Sequence, residues 1–209
     1  AIHEFNIAGY ELMCRAGKAA LDAARSYFPC ARHWLIVCGP GNNGGDGYVV
    51  ARLAVAAGIE VTVCSMIDPQ RLRGDAATAF ADWCEAGGET LRWPAFGQSG
   101  LPVTDLVFDA LLGTGIERDV EGDYKKAIEL INSLDCPVVS IDIPSGLNAD
   151  TGCVLGAAVE AQLSVSFVGK KRGMFTADGR DYCGTTVFDD LAIPAGVAET
   201  VAGAAGELL

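Results

Sequence analysis

The chain has 209 residues, half of them apolar and 20% charged, with 15 Lys and Arg against 27 Asp and Glu for a formal charge of -12. That balance suits one globular domain with a sizeable core and is the reverse of a disordered composition. The acidic excess argues against duplex nucleic acid or an anionic membrane surface as the main partner, since both require a dense cationic footprint, and no apolar run approaches the roughly 20 residues of a membrane helix.

Taken in chain order, apolar residues at helical spacing (Leu12, Met13, Ala16, Ala19, Ala20, Ala23 and Ala24) predict a helix within residues 9–29, ended by Pro29. Residues 33–38 read as a strand. It runs into Gly39-Pro40-Gly41-Asn42-Asn43-Gly44-Gly45-Asp46-Gly47, read as a loop, and then into a helix over 48–57 closed by Gly58. A strand rich in β-branched residues is expected over 59–66, a helix over 71–86, a short strand over 90–93, and a loop over 94–102. Further strands are expected over 105–111, 137–143, 163–168 and 185–188, with a helix over 124–134 and a polar, basic region over 169–184. Apolar strands alternating with helices predict an α/β fold: a three-layer α/β/α sandwich around a Rossmann-like, doubly wound, mostly parallel sheet. The domain is placed over residues 1–194, with 195–209 as a C-terminal tail or the start of a linker.

The eight cysteines are Cys14, Cys30, Cys38, Cys64, Cys84, Cys136, Cys153 and Cys183. None forms a C-x-x-C pair, and only His3 and His33 could complete a zinc site. Several sit in apolar runs, where Cys acts as a small hydrophobe. Reduced, mostly buried thiols are therefore expected, and with them a reducing, cytoplasmic setting.

In an open α/β sheet, ligands collect beyond the carboxyl ends of the strands. Three polar segments leave strands at that edge: 39–47, Asp109 with 113–118, and 142–145. Gly39, Gly41 and Gly44 form a G-x-G-x-x-G, but a redox dinucleotide site also wants an acid at the end of the second strand. That strand ends Cys64-Ser65-Met66, with Glu60 at its wrong end, so a dehydrogenase is disfavoured. A plain glycine turn with φ above zero is the structural alternative. Asn42, Asn43 and Asp46, crowded among the glycines, argue instead for a ligand. Asp109 and Asp142 could equally be turn or capping carboxylates, and Ser145 ordinary Pro-Ser-Gly turn chemistry. Lys170, Lys171 and Arg172 read either as a solvated loop or, with Arg118, as partners for phosphate.

Three motifs in this order (Asn42-Asn43-Gly44-Gly45-Asp46-Gly47, then Asp109-Ala110-Leu111-Leu112-Gly113-Thr114-Gly115, then Asp142-Ile143-Pro144-Ser145-Gly146-Leu147) resemble those of the NAD(P)H-hydrate epimerases, which are metabolite-repair isomerases. The resemblance runs from about Leu12-Met13 to Asp189. It implies a substrate of hydrated NADH or NADPH, with the R and S forms interconverted at C6 of the damaged nicotinamide ring. It implies substrate contacts at Asn42, Asn43, Gly44, Gly45 and Asp46, and at Gly113, Thr114, Gly115, Ile116, Glu117, Arg118 and Asp119. Asp142 would be a substrate-binding acid and the catalytic candidate. Asn43, Asp109 and Ser145 match ligands of a potassium ion, and amide, carboxylate and hydroxyl oxygens suit a hard cation. The resemblance also implies a fused or separate NAD(P)H-hydrate dehydratase as partner and leaves a homodimer open. The abrupt start at Ala1-Ile2-His3 is compatible with a piece of a longer chain. The competing expectation is a non-catalytic nucleotide- or protein-binding module on the same scaffold.

Overall fold

The computed structural model describes residues 7–93, 96 and 102–193. In chain order its main elements are α1 (Gly9–Tyr27), β1 (His33–Cys38), α2 (Asn42–Ala56), β2 (Glu60–Ser65), α3 (Gly74–Glu85), β3 (Thr90–Arg92) and β4 (Leu106–Ala110). They continue with α4 (Gly122–Ser133), β5 (Val138–Ile141), β6 (Leu163–Phe167), the short helix α5 (Gly179–Tyr182) and β7 (Thr185–Asp189). The strands form one sheet in the order β3-β2-β1-β4-β5-β6-β7, with every neighbouring pair parallel.

Strand periodicity sorts the core into two layers. Trp34, Ile36 and Cys38 of β1 join Phe108, Ile141 and Val165 on the face covered by α1, α2 and α3. Leu35 and Val37, one residue out of step, join Val107 and Val138 under Ala127, Ile128 and Ile131 of α4. Both sandwich faces are thus packed, as the near-continuous apolar strands require. Each large side chain so buried contributes about 1.5–3 kcal/mol. Helix α1 presents Met13, Ala16, Ala20, Leu21 and Ala24 to this core on one stripe and stops at Tyr27, two residues before Pro29.

The first turns of α2 differ from the expected loop. The helix begins at Asn42, six residues earlier than expected, and includes Gly44, Gly45 and Gly47. None of the glycines in 39–47 has a positive φ, so turn geometry is not their purpose. Close packing is. A Cβ on Gly44 would lie 2.1 Å from the Gly39 carbonyl oxygen, and one on Gly47 would lie 2.7 Å from Ala110 Cβ and 2.8 Å from Cys38 Sγ. Low intrinsic propensity hides this helix start in the sequence, and tertiary packing overrides it.

The strands expected over 137–143 and 163–168 stop at Ile141 and Phe167. The next residues, Asp142 (φ 70°) and Val168 (φ 64°), take left-handed conformations that end the extended run. Region 169–184 contains a 3-10 turn, Arg172–Phe175, and α5. Of the eight free cysteines only Cys38 and Cys64, inside the sheet, and Cys183, packed with Ile143, Leu147 and Met174 after α5, are buried; the others fall on helix surfaces, loops and turns. The tail 195–209 and most of 94–102 lie outside the described residues. Among the described residues no helix is long and apolar enough to cross a membrane.

Candidate active site

Strand β1 continues toward β2 on one side of the sheet, and β4 toward β5 on the other, although β1 and β4 are neighbours. The carboxyl ends of these two strands are therefore the topological switch point, where connecting loops part and leave a crevice. A cleft of about 590 Å³ opens there. Pro40, Gly41, Asn42, Asn43 and Asp46 wall it from the β1–α2 side, and Leu111, Leu112, Gly113, Thr114, Gly115 and Ile116 from the segment after β4. Asp142 enters after β5, and Phe167, Val168 and Lys171 after β6. The first two walls touch backbone to backbone, since a Cβ on Gly39 would fall 1.7 Å from the Leu111 carbonyl oxygen.

Asn43, at 8% exposed, bridges these walls. Its Nδ2 donates to the Leu112 carbonyl at 2.9 Å, while its Oδ1 is buried with no hydrogen-bond partner among the described residues. The Leu112 N–H in turn donates to Ser145 Oγ at 2.8 Å. Behind this wall Asp109 is fully buried. It accepts from Ser140 Oγ and the Ser145 N–H, each at 2.8 Å, and from Ser145 Oγ at 2.5 Å. Burial pushes the Asp109 carboxyl above the usual carboxylate range, and the hydrogen bonds from Ser145 and Ser140 oppose that rise. Asp109 and Ser145 thus tie the end of β4 to the turn after β5.

The cleft side is different. The Asp142 backbone N–H is fixed to the Val165 carbonyl at 2.8 Å. Its Oδ1 accepts from the Phe167 N–H at 3.2 Å and from Lys171 Nζ, and Lys171 also donates to the Phe167 carbonyl at 2.9 Å. The Asp142–Lys171 ion pair is mostly enclosed, with side chains 21% and 16% exposed. Nearby Asp46 stands apart: burial drives its carboxyl well above the ordinary range, the Asp142 carboxylate adds to the rise, and the Lys171 ammonium opposes it. Two carboxyls in one cleft therefore occupy different environments, Asp46 held by burial and Asp142 paired with a lysine.

Asn42, Asn43, Asp46, Gly113, Thr114, Gly115, Ile116 and Asp142 come together on the cleft walls. Gly44 and Gly45 do not line it; Gly44 packs against Gly39, and Gly45 against Met13 and Ala76. Arg118 and Asp119 line an adjoining hollow of about 390 Å³ with Tyr124, while Glu117 is exposed and lines neither. Asp109 and Ser145 sit behind the wall rather than on it. Phe167, Val168 and the pairing of Lys171 with Asp142 escaped the sequence reading. A basic residue just past β6 was the only signal, and it gave no hint of a carboxylate partner 29 residues away in sequence.

Residues 9–173 match the family described as YjeF-related protein N-terminus. The chain is 46% identical over 188 residues to the bifunctional NAD(P)H-hydrate repair enzyme Nnr of Escherichia coli K12, a match covering 88% of this chain but only 35% of that protein. It thus spans about a third of the length of that two-activity relative. It is 38% identical to the NAD(P)H-hydrate epimerase of Limosilactobacillus fermentum, over 90% of this chain and 89% of that one. The crystal structure of the yeast protein YNL200c superposes with a TM-score of 0.70, covering 85% of this chain and 76% of that chain at 22% identity, a likeness that bears on the fold alone. With its three site motifs set around one cleft and residues 9–173 matched by the family model, the chain belongs to the YjeF-related N-terminal family, whose relatives include bifunctional NAD(P)H-hydrate repair enzymes and NAD(P)H-hydrate epimerases.

Proposed function

We propose that the cleft binds hydrated NADH or NADPH and interconverts its R and S forms at C6 of the nicotinamide ring. The observation that carries this reading is the meeting of Asp46 and Asp142, an enclosed acid and a lysine-paired carboxylate, in one cleft. The damaged carbon bears a hydroxyl beside the ring nitrogen. The nitrogen lone pair forms a C=N bond as the C6–O bond breaks, and Asp46 gives its proton so that the hydroxyl leaves as water. Water then adds to the opposite face of the planar iminium. The C=N electrons return to nitrogen, and Asp142 takes the proton released by the incoming water. Proton exchange between the neighbouring carboxyls resets the site. The same pair serves a reversible ring opening. No electron transfer occurs in either route.

The first turn of α2 lies in the cleft wall, and its unpaired amides suit the pyrophosphate of the nucleotide. That placement lets a chain of charge -12 hold an anion without a lysine-rich surface.

Asn43, Asp109 and Ser145 fit a potassium ion. Asn43 Oδ1 is a buried oxygen without a donor, and the Asp109 carboxyl is enclosed with no cationic side chain paired to it among the described residues. An oxygen-only donor set of this kind suits a hard cation. When bound, the ion would supply fixed positive charge that keeps Asp109 ionised and steadies the Leu112 wall.

The epimerase reading also implies a dehydratase that consumes one epimer, either as a separate protein or as the remaining part of a longer chain like the bifunctional relatives. Eight free thiols favour a reducing compartment such as the cytoplasm. The test is a chiral chromatographic assay of hydrated NADH with and without the protein. Accelerated interconversion supports the proposal; binding without acceleration makes the chain a nucleotide-binding module instead.

A further inference from the structure

We infer that Lys171 is a positioning residue that decides which oxygen of Asp142 works on the substrate, with Lys171 and the Phe167 amide holding Oδ1 and leaving Oδ2 to take the proton. The inference rests on the epimerase reading and deepens it.

The geometry is asymmetric. Oδ1 of Asp142 receives two donors, the Phe167 N–H at 3.2 Å and the Lys171 ammonium. Oδ2 receives none among the described residues. A carboxylate held by one oxygen cannot rotate freely, so its second oxygen faces one direction with its lone pairs unspent. Lys171 is itself held, because it donates to the Phe167 carbonyl at 2.9 Å. Phe167 therefore grips both partners, one through its N–H and the other through its C=O.

Backbone strain at the same place points the same way. Asp142 has φ 70° and Val168 has φ 64°. For a β-branched residue this conformation is an outlier costing on the order of 1–3 kcal/mol, and such strain persists where the surroundings over-determine it. The two strained residues follow the adjacent strands β5 and β6, which brings Lys171 back onto Asp142. A lysine meant for solvent or phosphate would need none of this. Among the described residues the charged groups that share the cleft with Asp142 are Asp46 from α2 and Lys171 from beyond β6.

The experiment compares wild type, Lys171→Met and Lys171→Arg in the chiral epimerisation assay, with NADP binding measured by calorimetry and folding by thermal melt. Lys171→Met is expected to lower kcat at least 30-fold while KM and the NADP Kd change less than threefold. Lys171→Arg should restore kcat to within about fivefold of wild type, because it returns a charged donor to Oδ1. Unchanged kcat in Lys171→Met overturns the inference and leaves the epimerase reading standing. A raised KM and Kd with kcat intact overturns it in favour of a phosphate anchor. Inactive wild type sinks both. Should Lys171→Met not fold, Lys171→Gln replaces it; if neither folds while Lys171→Arg does, the role is structural and the inference fails.

Discussion

Asn43 donates its side-chain amide to the Leu112 carbonyl at 2.9 Å and keeps its own amide oxygen buried without a partner among the described residues. A buried acceptor left in that state costs on the order of 1–3 kcal/mol. The hydrogen bond accounts for the position of the side chain but not for the burial of Oδ1, which a cation beside Asp109 would satisfy.

Potassium is accordingly expected to raise the melting temperature. At 100 times its Kd a ligand specific for the folded state contributes about 2.7 kcal/mol, or about 5–10 °C for a chain of this size. Asn43→Ala should lose most of that increment while choline chloride leaves both proteins unchanged. Equal potassium shifts in wild type and variant, read by calorimetry, would remove Asn43 from the ligand set.

Asp142→Asn is expected to reduce epimerisation by 10²–10⁴, the usual range for a lost acid–base group, and to leave NADP affinity within about threefold. The substitution is mild for the fold. Asn tolerates the left-handed φ of 70° at this position, and its amide oxygen can still accept the Phe167 N–H. Asp142→Ala would add backbone strain and so mix stability with chemistry. Turnover near wild type in Asp142→Asn, measured with the melting temperature preserved, would falsify the proton-accepting role.

Much of this site could be read from the chain alone, for identifiable reasons. Strand β1 shows itself as six successive residues of His33-Trp34-Leu35-Ile36-Val37-Cys38, five of them buried. The polar residues Asn43, Asp109 and Ser145 stood out because each interrupts or ends an apolar or glycine-rich run. The start of α2 was hidden, since glycine signals flexibility locally and reveals close packing only once Gly39, Ala110 and Cys38 are in place around it. The Lys171–Asp142 pair was hidden for a different reason. It depends on β6 lying next to β5, a pairing across a 21-residue connection that contains no helix.

The glycines of the segment 39–47 are expected to differ sharply in tolerance. Within a helix, Gly→Ala normally gains about 0.5–1 kcal/mol. At Gly44 the new Cβ would sit 2.1 Å from the Gly39 carbonyl oxygen, a backbone atom that has nowhere to go. Overpacking of that kind costs about 1–3 kcal/mol or more, so Gly44→Ala should be destabilised on balance. At Gly41 a Cβ would meet nothing within 4 Å, so Ala should be accepted there with little change in stability. Urea titration of both variants checks the ordering, and equal midpoints would mean that the two walls pack loosely enough to admit a methyl group.

Asp46 gives the apo protein a pH dependence of definite sign. Its folded-state carboxyl is raised well above the ordinary value, first by burial and then by the Asp142 carboxylate, against the opposing Lys171 ammonium. Between the unfolded carboxyl value near 4 and the raised folded value, the native state holds the extra proton. The stability this supplies is complete below the unfolded value and is lost as pH rises through the folded one. Wild type should therefore lose more stability than Asp46→Asn as pH is raised from about 4 towards neutrality and beyond, the Asn variant lacking the ionisation altogether. Melting curves of both proteins across that range supply the comparison. Parallel curves would show that Asp46 ionises at its ordinary value in the empty cleft, and the neutral acid assigned to the leaving hydroxyl would have to be sought elsewhere.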